Sequence, residues 1–293
     1  MASILKTSAR NAGQVALDKF CPRCCWYLLR IKKWPFQMAM PGIMFFLEQV
    51  EKATILAHLK QANKLPDYFG PFAGCTAPVD FPFRMEHMHP ESNVLLTAQV
   101  DMILRTSSKN LAVLDLKTSR IGGGGSVFLP QYEIQVIGYS WVTQACKIGK
   151  VETGGLIYCQ IQHEEFKQDP LSYADENGIL VPFHFTPHVV ELDYDKLTEC
   201  LVELNGLWNT PHPPRGRENC ADCALLSRVL DFEDHLRRTD AVQARWSPFL
   251  LNEAIRHDYD RALARGTPQL LADEHTDEHR WDDDGMWANW DFS

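Results

Sequence analysis

Apolar and polar residues alternate along this chain with two different periods. A period of three to four residues, typical of helices, occurs over 42–61, 131–146, 194–208 and 224–238. Apolar runs with strand character occur over 83–88, 94–104, 111–117, 155–161 and 189–192. The polar segment 106–110 between two of these runs predicts an antiparallel hairpin. The central order of helix, three strands, helix and strand predicts an α/β fold.

The amino-acid composition is typical of a soluble globular protein. Of the 293 residues, 45% are apolar and 23% are charged, as is usual for soluble globular proteins. Apolar stretches stay well short of the roughly 20 residues that cross a bilayer, and residues 1–14 lack the apolar core of a secretion signal. We therefore expect a cytoplasmic protein with reduced cysteines, so that clustered cysteines indicate metal binding rather than disulfides.

The net charge of −9 is distributed unevenly. Residues 267–293 contain eight acids and one base, whereas residues 1–40 contain seven bases and one acid. A basic N-terminal region can contact phosphates, and an acidic tail can repel or mimic nucleic acid. A solvated basic surface with a solubilising tail is the alternative interpretation. The aromatic residues of the tail indicate a docking segment for a protein partner; they are Trp281, Trp287, Trp290 and Phe292.

The most informative segment combines two carboxylates with a lysine. Asp101 lies within the apolar run 94–104, and Asp115 lies near the end of the next run. Lys117 follows Asp115 by two residues, so both side chains point to the same face of a strand. Such a group suits phosphodiester hydrolysis, with Mg²⁺ or Mn²⁺ held by the two carboxylates and the Leu116 carbonyl while Lys117 orients the attacking water. A salt bridge at a strand end is the alternative for Asp-x-Lys alone.

A resemblance to a known superfamily sharpens this interpretation. The spacing Asp101-x13-Asp115-x-Lys117 resembles the D-xn-(D/E)-x-K signature of the PD-(D/E)XK nucleases. The helical segment that follows resembles the Gln-x3-Tyr helix of the RecB-like branch, with the motif falling on Gln135 and Tyr139. The resemblance implies a restriction-endonuclease-like core with helical additions, in which Gln135 and Tyr139 line the active site.

The resemblance also implies a catalytic acid on the first core helix, for which Glu48 and Glu51 are the candidates. The implied activity is Mg²⁺- or Mn²⁺-dependent hydrolysis of DNA in repair, recombination or defence. Exonuclease action on ends or single strands fits this branch better than site-specific cutting. The alternative is a non-catalytic or partner-dependent nucleic-acid-binding subunit of the same fold, although a pure binder has no use for two carboxylates facing phosphate.

Two Cys-x2-Cys pairs flank the predicted core, Cys21 with Cys24 and Cys220 with Cys223. Each pair has metal-ligand spacing, and together they predict a four-thiolate site. The resemblance implies a 4Fe–4S cluster, as in the iron–sulfur CRISPR-adaptation exonucleases of this branch. Those nucleases combine one N-terminal cysteine with three C-terminal ones, whereas this chain has two, or three with Cys25, followed by two. Zinc therefore remains an alternative.

These observations divide the chain into three predicted regions. Residues 1–240 are expected to form a RecB-like nuclease domain with a four-cysteine clasp. Residues 241–266 are expected to form a helical extension, and residues 267–293 a disordered acidic tail.

Overall fold

Strands and helices alternate along most of the chain. The computed structural model describes residues 4–32, 42–118, 127–161, 167–176 and 178–238, with the backbone alone for 42–45 and 232–238. The strands are β1 (Leu5–Ser8), β2 (Thr76–Pro78), β3 (Met85–His89), β4 (Val94–Ala98), β5 (Met102–Arg105), β6 (Leu111–Lys117), β7 (Val151–Ile161), β8 (Ala174–Asp175), β9 (Gly178–Ile179) and β10 (Phe183–Val190). The α-helices are α1 (Ala9–Gly13), α2 (Pro22–Ile31), α3 (Gly42–Ala62), α4 (Leu129–Ala145), α5 (Tyr194–Asn209) and α6 (Ala221–Arg238).

The largest sheet is mixed, with the strand order β10-β7-β6-β5-β2. β6 pairs antiparallel with β5 through a tight turn and parallel with β7, and α4 makes the crossover that a parallel pair requires. A second sheet has the order β1-β4-β3, and β8 pairs antiparallel with β9. The chain therefore has a mixed α/β fold.

The two faces of β6 contact different layers. Leu111 and Val113 belong to an apolar core shared with α4. Ala112, Leu114 and Leu116 belong to a second core shared with α3. Because side chains alternate along a strand, Asp115 and Lys117 continue the series that faces α4. The polar end of β6 thus lies next to the helix that carries the Gln-x3-Tyr motif.

Close backbone packing holds α1 against α4. A Cβ atom on Gly138 would lie 2.7 Å from the Ala9 Cβ, and one on Gly13 would lie 2.3 Å from the carbonyl oxygen of Gln131. Both distances are shorter than real contacts, so glycine is required at each position. The packing of α1 on one face of α4 therefore fixes the position of this helix, and another face of α4 contacts β6.

The structure confirms several predicted elements and corrects two. The helix predicted over 42–61 is α3, and the strand predicted over 111–117 is β6. The strand predicted over 189–192 is wrong in its bounds, because β10 extends from Phe183 to Val190. The single strand predicted over 94–104 is wrong, because β4 ends at Ala98 and β5 begins at Met102. The chain passes here from the smaller sheet to the larger one. Asp101 therefore lies in a bend just before β5 and not within a strand.

The chain divides into two compact units, residues 1–214 with 291–293, and residues 215–290. The described part of the first unit contains α1 to α5 and β1 to β10, and the described part of the second contains α6. The predicted helical extension over 241–266 and the predicted tail over 267–293 lie outside the described residues. Within the part of the chain that is described, no helix combines the length and apolar character needed to cross a membrane.

Candidate functional site

Two carboxylates meet where β5 begins and β6 ends. In this antiparallel pair, Met102 lies opposite Leu114. Asp101 and Asp115, the next residues outward, therefore face each other. The Oδ2 atom of Asp101 accepts a hydrogen bond of 2.8 Å from the Leu116 N–H. The Asp101 side chain therefore extends the hydrogen bonding between the two strands beyond their last backbone pair. The sequence pattern anticipated this convergence, although it placed Asp101 inside a strand.

Gln135 connects the end of β6 to α4. Its Oε1 atom accepts a hydrogen bond of 3.1 Å from Lys117 Nζ, and its Nε2 atom donates to Asp115 Oδ1 at 3.2 Å and to the Tyr139 hydroxyl at 2.7 Å. Lys117 Nζ also lies 2.8 Å from Asp115 Oδ2. Four residues selected from the sequence therefore form one continuous network, in which both donors of the glutamine amide are used.

Tyr132 is a member of this site that the sequence interpretation missed. Lys117 Nζ lies 4.2 Å from the centre of its ring, within the range of a cation–π interaction. Tyr132, Gln135 and Tyr139 follow the i, i+3, i+7 spacing that places side chains on one face of a helix. That periodicity is visible in the sequence and is the signal that identifies Tyr132.

Burial dominates the electrostatics at the end of β6. Asp115 is only 2% exposed, and burial raises the pKa of its carboxyl group to about 6, with a further contribution from the neighbouring Asp101 that Lys117 opposes. Burial, with Asp115 and Asp101 adding to it, also raises the pKa of Tyr139 well above the ordinary tyrosine value. Tyr139 is therefore a neutral hydrogen-bonding group, and Asp115 is the group that titrates near neutral pH.

On the opposite face of the sheet, α3 brings a buried acid to the same strand end. Glu51 is 5% exposed, and its Oε1 atom accepts a hydrogen bond of 2.9 Å from the hydroxyl of Thr118, the residue after β6. Its Oε2 atom has no hydrogen-bond partner among the described residues, and the Cys159 thiol lies beside the carboxyl group. Burial raises the pKa of Glu51, and the negative charges of Glu48 and Asp101 add to the effect.

Glu48, the other candidate acid, is nearly half exposed and makes a different contact. Its Oε1 atom lies 2.6 Å from the Nζ atom of Lys52, and the same ammonium lies 2.8 Å from Asp101 Oδ1. Although burial opposes the effect, Asp101 and then Glu48 raise the pKa of Lys52. Glu51 therefore lies directly against the end of β6, whereas Glu48 reaches Asp101 through Lys52.

The donor set at this strand end suits a hard divalent cation. Four carboxylates (Glu48, Glu51, Asp101 and Asp115) stand against two ammonium groups (Lys52 and Lys117), which gives a net charge of −2 when all are ionised. A cation bound by oxygen ligands would compensate this charge. The Leu116 N–H donates to Asp101, and a role for the Leu116 carbonyl as a metal ligand stays a prediction.

The two Cys-x2-Cys pairs share one local geometry. Cys21 and Cys220 immediately precede α2 and α6, and Cys24 and Cys223 lie in the first turns of these helices. The four sulfur atoms lie within 4.8 Å of one another, so this group could hold a metal such as zinc or an iron–sulfur cluster. Cys25 instead lies in the apolar core, where burial raises its pKa to about 12.

The basic N-terminal region is partly engaged in structural contacts. Lys6 Nζ lies 2.7 Å from Glu86 Oε2, and Arg10 is buried. The guanidinium of Arg30 lies over the rings of Trp26 and of Trp208, at 5.2 and 4.7 Å from their centres. Three of the seven bases among residues 1–40 are thus engaged within the protein, which reduces the number that can contact phosphates.

Comparison with known proteins shows no family for this chain. No protein-family model and no curated protein matches the chain. One solved structure similar to it is the crystal structure of SSO0001, with 16% sequence identity and a TM-score of 0.38, over 72% of this chain and 80% of that chain. This likeness is too weak to carry an argument, and the relationship to the PD-(D/E)XK nucleases stays a prediction.

Proposed function

We propose that this chain is a divalent-metal-dependent deoxyribonuclease with a restriction-endonuclease-like core of the RecB-like PD-(D/E)XK type. The contact network of Asp115, Lys117 and Gln135 is the observation that carries this proposal. An ordinary salt bridge at a strand end does not need a buried amide that binds both of its partners. A site that must hold an ammonium and a carboxylate in fixed positions does need such a group.

The order of elements around the network supports the same proposal. The helix α3, the strands β2 to β6, the helix α4 and the strand β7 follow the order of helix, strands, helix and strand expected for that core, with more strands than the three that were predicted. The acids and the lysine lie at one end of β6, with α4 beside them. Charged groups there can meet a substrate without disturbing the apolar layers on either side of the sheet.

In this proposal Asp101 and Asp115 bind the metal, and Glu51 adds a third carboxylate through its Oε2 atom. When bound, a Mg²⁺ or Mn²⁺ ion would polarise the phosphate and lower the pKa of a water molecule on it. The residues fit such an ion because they supply oxygen ligands and an uncompensated negative charge.

Lys117 has the role of positioning the attacking water and stabilising the negative charge that develops on the phosphate. Gln135 and Tyr132 hold its ammonium from α4, at 3.1 Å from Oε1 and 4.2 Å from the ring centre. Tyr139 fixes the orientation of Gln135 through a hydrogen bond of 2.7 Å. Prepositioned groups of this kind avoid the free-energy cost of reorganisation during the reaction.

We further propose that the four cysteines bind one metal centre, with a 4Fe–4S cluster and zinc as its two candidate occupants. Anaerobic purification followed by iron, sulfide and zinc analysis decides between them. Visible absorbance with matching iron and sulfide contents would indicate the cluster. One equivalent of zinc and no visible absorbance would indicate the single ion.

The nuclease is tested with end-labelled single- and double-stranded DNA in Mn²⁺, Mg²⁺ or EDTA. We expect metal-dependent cleavage by the wild type and a loss of several orders of magnitude in Lys117→Ala. Lys60→Ala is the matched control, because Lys60 is an exposed lysine of α3. Cleavage at equal rates by wild type and Lys117→Ala would refute the assignment. DNA binding without cleavage by the anaerobically purified wild type would instead support the non-catalytic or partner-dependent alternative.

A further inference from the structure

Lys52 is a second lysine at the candidate site, and the proposed reaction does not use it. Its Nζ atom lies 2.8 Å from Asp101 Oδ1 and 2.6 Å from Glu48 Oε1. One third of its side chain is exposed, so the ammonium has access to solvent. It therefore differs from Lys117, whose side chain is 13% exposed and is held by Asp115 and Gln135.

Both oxygens of Asp101 are already engaged by the protein. The Oδ2 atom accepts the Leu116 N–H, a backbone group fixed within β6. The Oδ1 atom is ion-paired with Lys52, which is carried by a flexible side chain. A cation that binds Asp101 while the Leu116 bond is kept must approach Oδ1, the atom that Lys52 contacts.

An ammonium and a divalent cation cannot share this oxygen without repulsion. Two positive charges a few ångströms apart repel strongly where burial limits screening by water and salt, and the Asp101 side chain is 18% exposed. Metal binding would therefore require the Lys52 ammonium to move away from Oδ1. Glu48 gives it a second partner, because the two residues lie one helical turn apart on α3.

We propose that Lys52 is a built-in competitor of the divalent metal for Asp101, and that Glu48 holds its ammonium when the metal binds. This inference rests on the proposed metal site at Asp101 and Asp115. It makes Lys52 a residue that sets the metal concentration at which the site becomes active. Glu48 then acts through Lys52, as a positioning residue, while Glu51 lies against the strand end.

A purely structural role for Lys52 predicts the opposite effect on metal binding. If the ion pair served only to attach α3 to the start of β5, then breaking it would loosen Asp101 and weaken metal binding. If Lys52 competes with the metal, then removing its charge strengthens metal binding. The sign of the change in affinity therefore separates the two roles.

The test is calorimetric titration of the full-length protein with Mn²⁺, with its cysteine metal in place. Asp115→Asn supplies the baseline for Mn²⁺ that binds elsewhere on the chain. We expect Lys52→Gln, which keeps a hydrogen-bond donor, to bind Mn²⁺ about fivefold or more tightly than the wild type. Lys52→Arg, which keeps the charge, should not bind Mn²⁺ more tightly than the wild type, and the control Lys60→Gln should leave the affinity unchanged.

Glu48→Gln completes the design as a double-mutant cycle. We expect it to weaken Mn²⁺ binding in the wild type, because Lys52 then has only Asp101 as a partner, and to have no effect when combined with Lys52→Gln. An equal loss in both backgrounds would overturn the role given to Glu48 and make it a metal ligand.

The remaining outcomes separate this inference from the proposed function. Mn²⁺ binding by the wild type with equal or weaker binding by Lys52→Gln would overturn competition and leave the metal site standing. An absence of binding above the Asp115→Asn baseline in both the wild type and Lys52→Gln would overturn both proposals. Binding by Lys52→Gln alone would support both.

Discussion

Replacing Asp115 with asparagine is predicted to stabilise the protein at alkaline pH in the absence of divalent metal. Burial, with Asp101 adding to it, raises the pKa of Asp115 from 3.8 to about 6. A carboxyl group whose pKa is raised on folding makes its full contribution to the free energy of unfolding when the pH is below its pKa in the unfolded state. That stability is lost as the pH rises through the folded-state value. Asparagine resembles the protonated form and avoids this loss.

The magnitude follows from the size of the shift. A shift of roughly two units at about 1.36 kcal/mol per unit corresponds to about 3 kcal/mol at pH 8. At pH 5 the carboxyl group still ionises more readily in the unfolded state than in the folded state. About half of the stability difference between the two proteins should therefore remain at pH 5. By pH 4 the two proteins should be nearly equally stable. The stability lost by ionising a buried carboxylate at high pH is typical of sites at which function is retained at the expense of stability.

Urea unfolding of wild type and Asp115→Asn, at pH 8 and pH 5 in buffer freed of divalent metal, measures this difference. Taking the difference between the two proteins cancels the titration of other groups that the substitution does not touch. An Asp115→Asn variant that is less stable than the wild type at pH 8 would contradict this prediction. So would a stability difference that does not change between the two pH values.

Three further predictions concern other parts of the chain. Cys223→Ser should abolish metal binding at the four-cysteine group, whereas Cys25→Ala should keep the full metal content because its thiol lies in the apolar core, as elemental analysis will show. Gly138→Ala should lower the free energy of unfolding by about 1–3 kcal/mol, because the added Cβ would lie 2.7 Å from the Ala9 Cβ, and denaturant unfolding would contradict this if it shows no loss. Burial lowers the pKa of His89, so the wild type should lose stability as the pH falls below about 6.5, and His89→Gln should lose less over the same range in thermal melts.

The parts of the site that sequence reasoning identified are those governed by local geometry. Asp115 and Lys117 share a strand face because strand side chains alternate. Gln135 and Tyr139 share a helix face because they are four residues apart. The same helical spacing extends to Tyr132, which the Gln-x3-Tyr motif does not include. A periodicity within one element can therefore be read from the chain before its neighbours are known.

The parts that were missed depend on contacts between distant segments. Lys52 and Asp101 are brought together only when α3 packs on the sheet, and no local pattern pairs them. The break between β4 and β5 has the same origin, because β4 pairs with β1, which begins at Leu5. A continuous apolar run does not reveal that its two halves belong to different sheets.

All these proposals about the strand end depend on one claim, that Asp101 and Asp115 share a divalent cation beside Lys117. Anomalous diffraction from crystals of the full chain soaked in Mn²⁺ tests this claim. We predict a manganese peak within coordination distance of an oxygen of each carboxylate, with the Lys52 ammonium moved towards Glu48. Manganese found only elsewhere, with Asp101 still paired to Lys52, would contradict the claim.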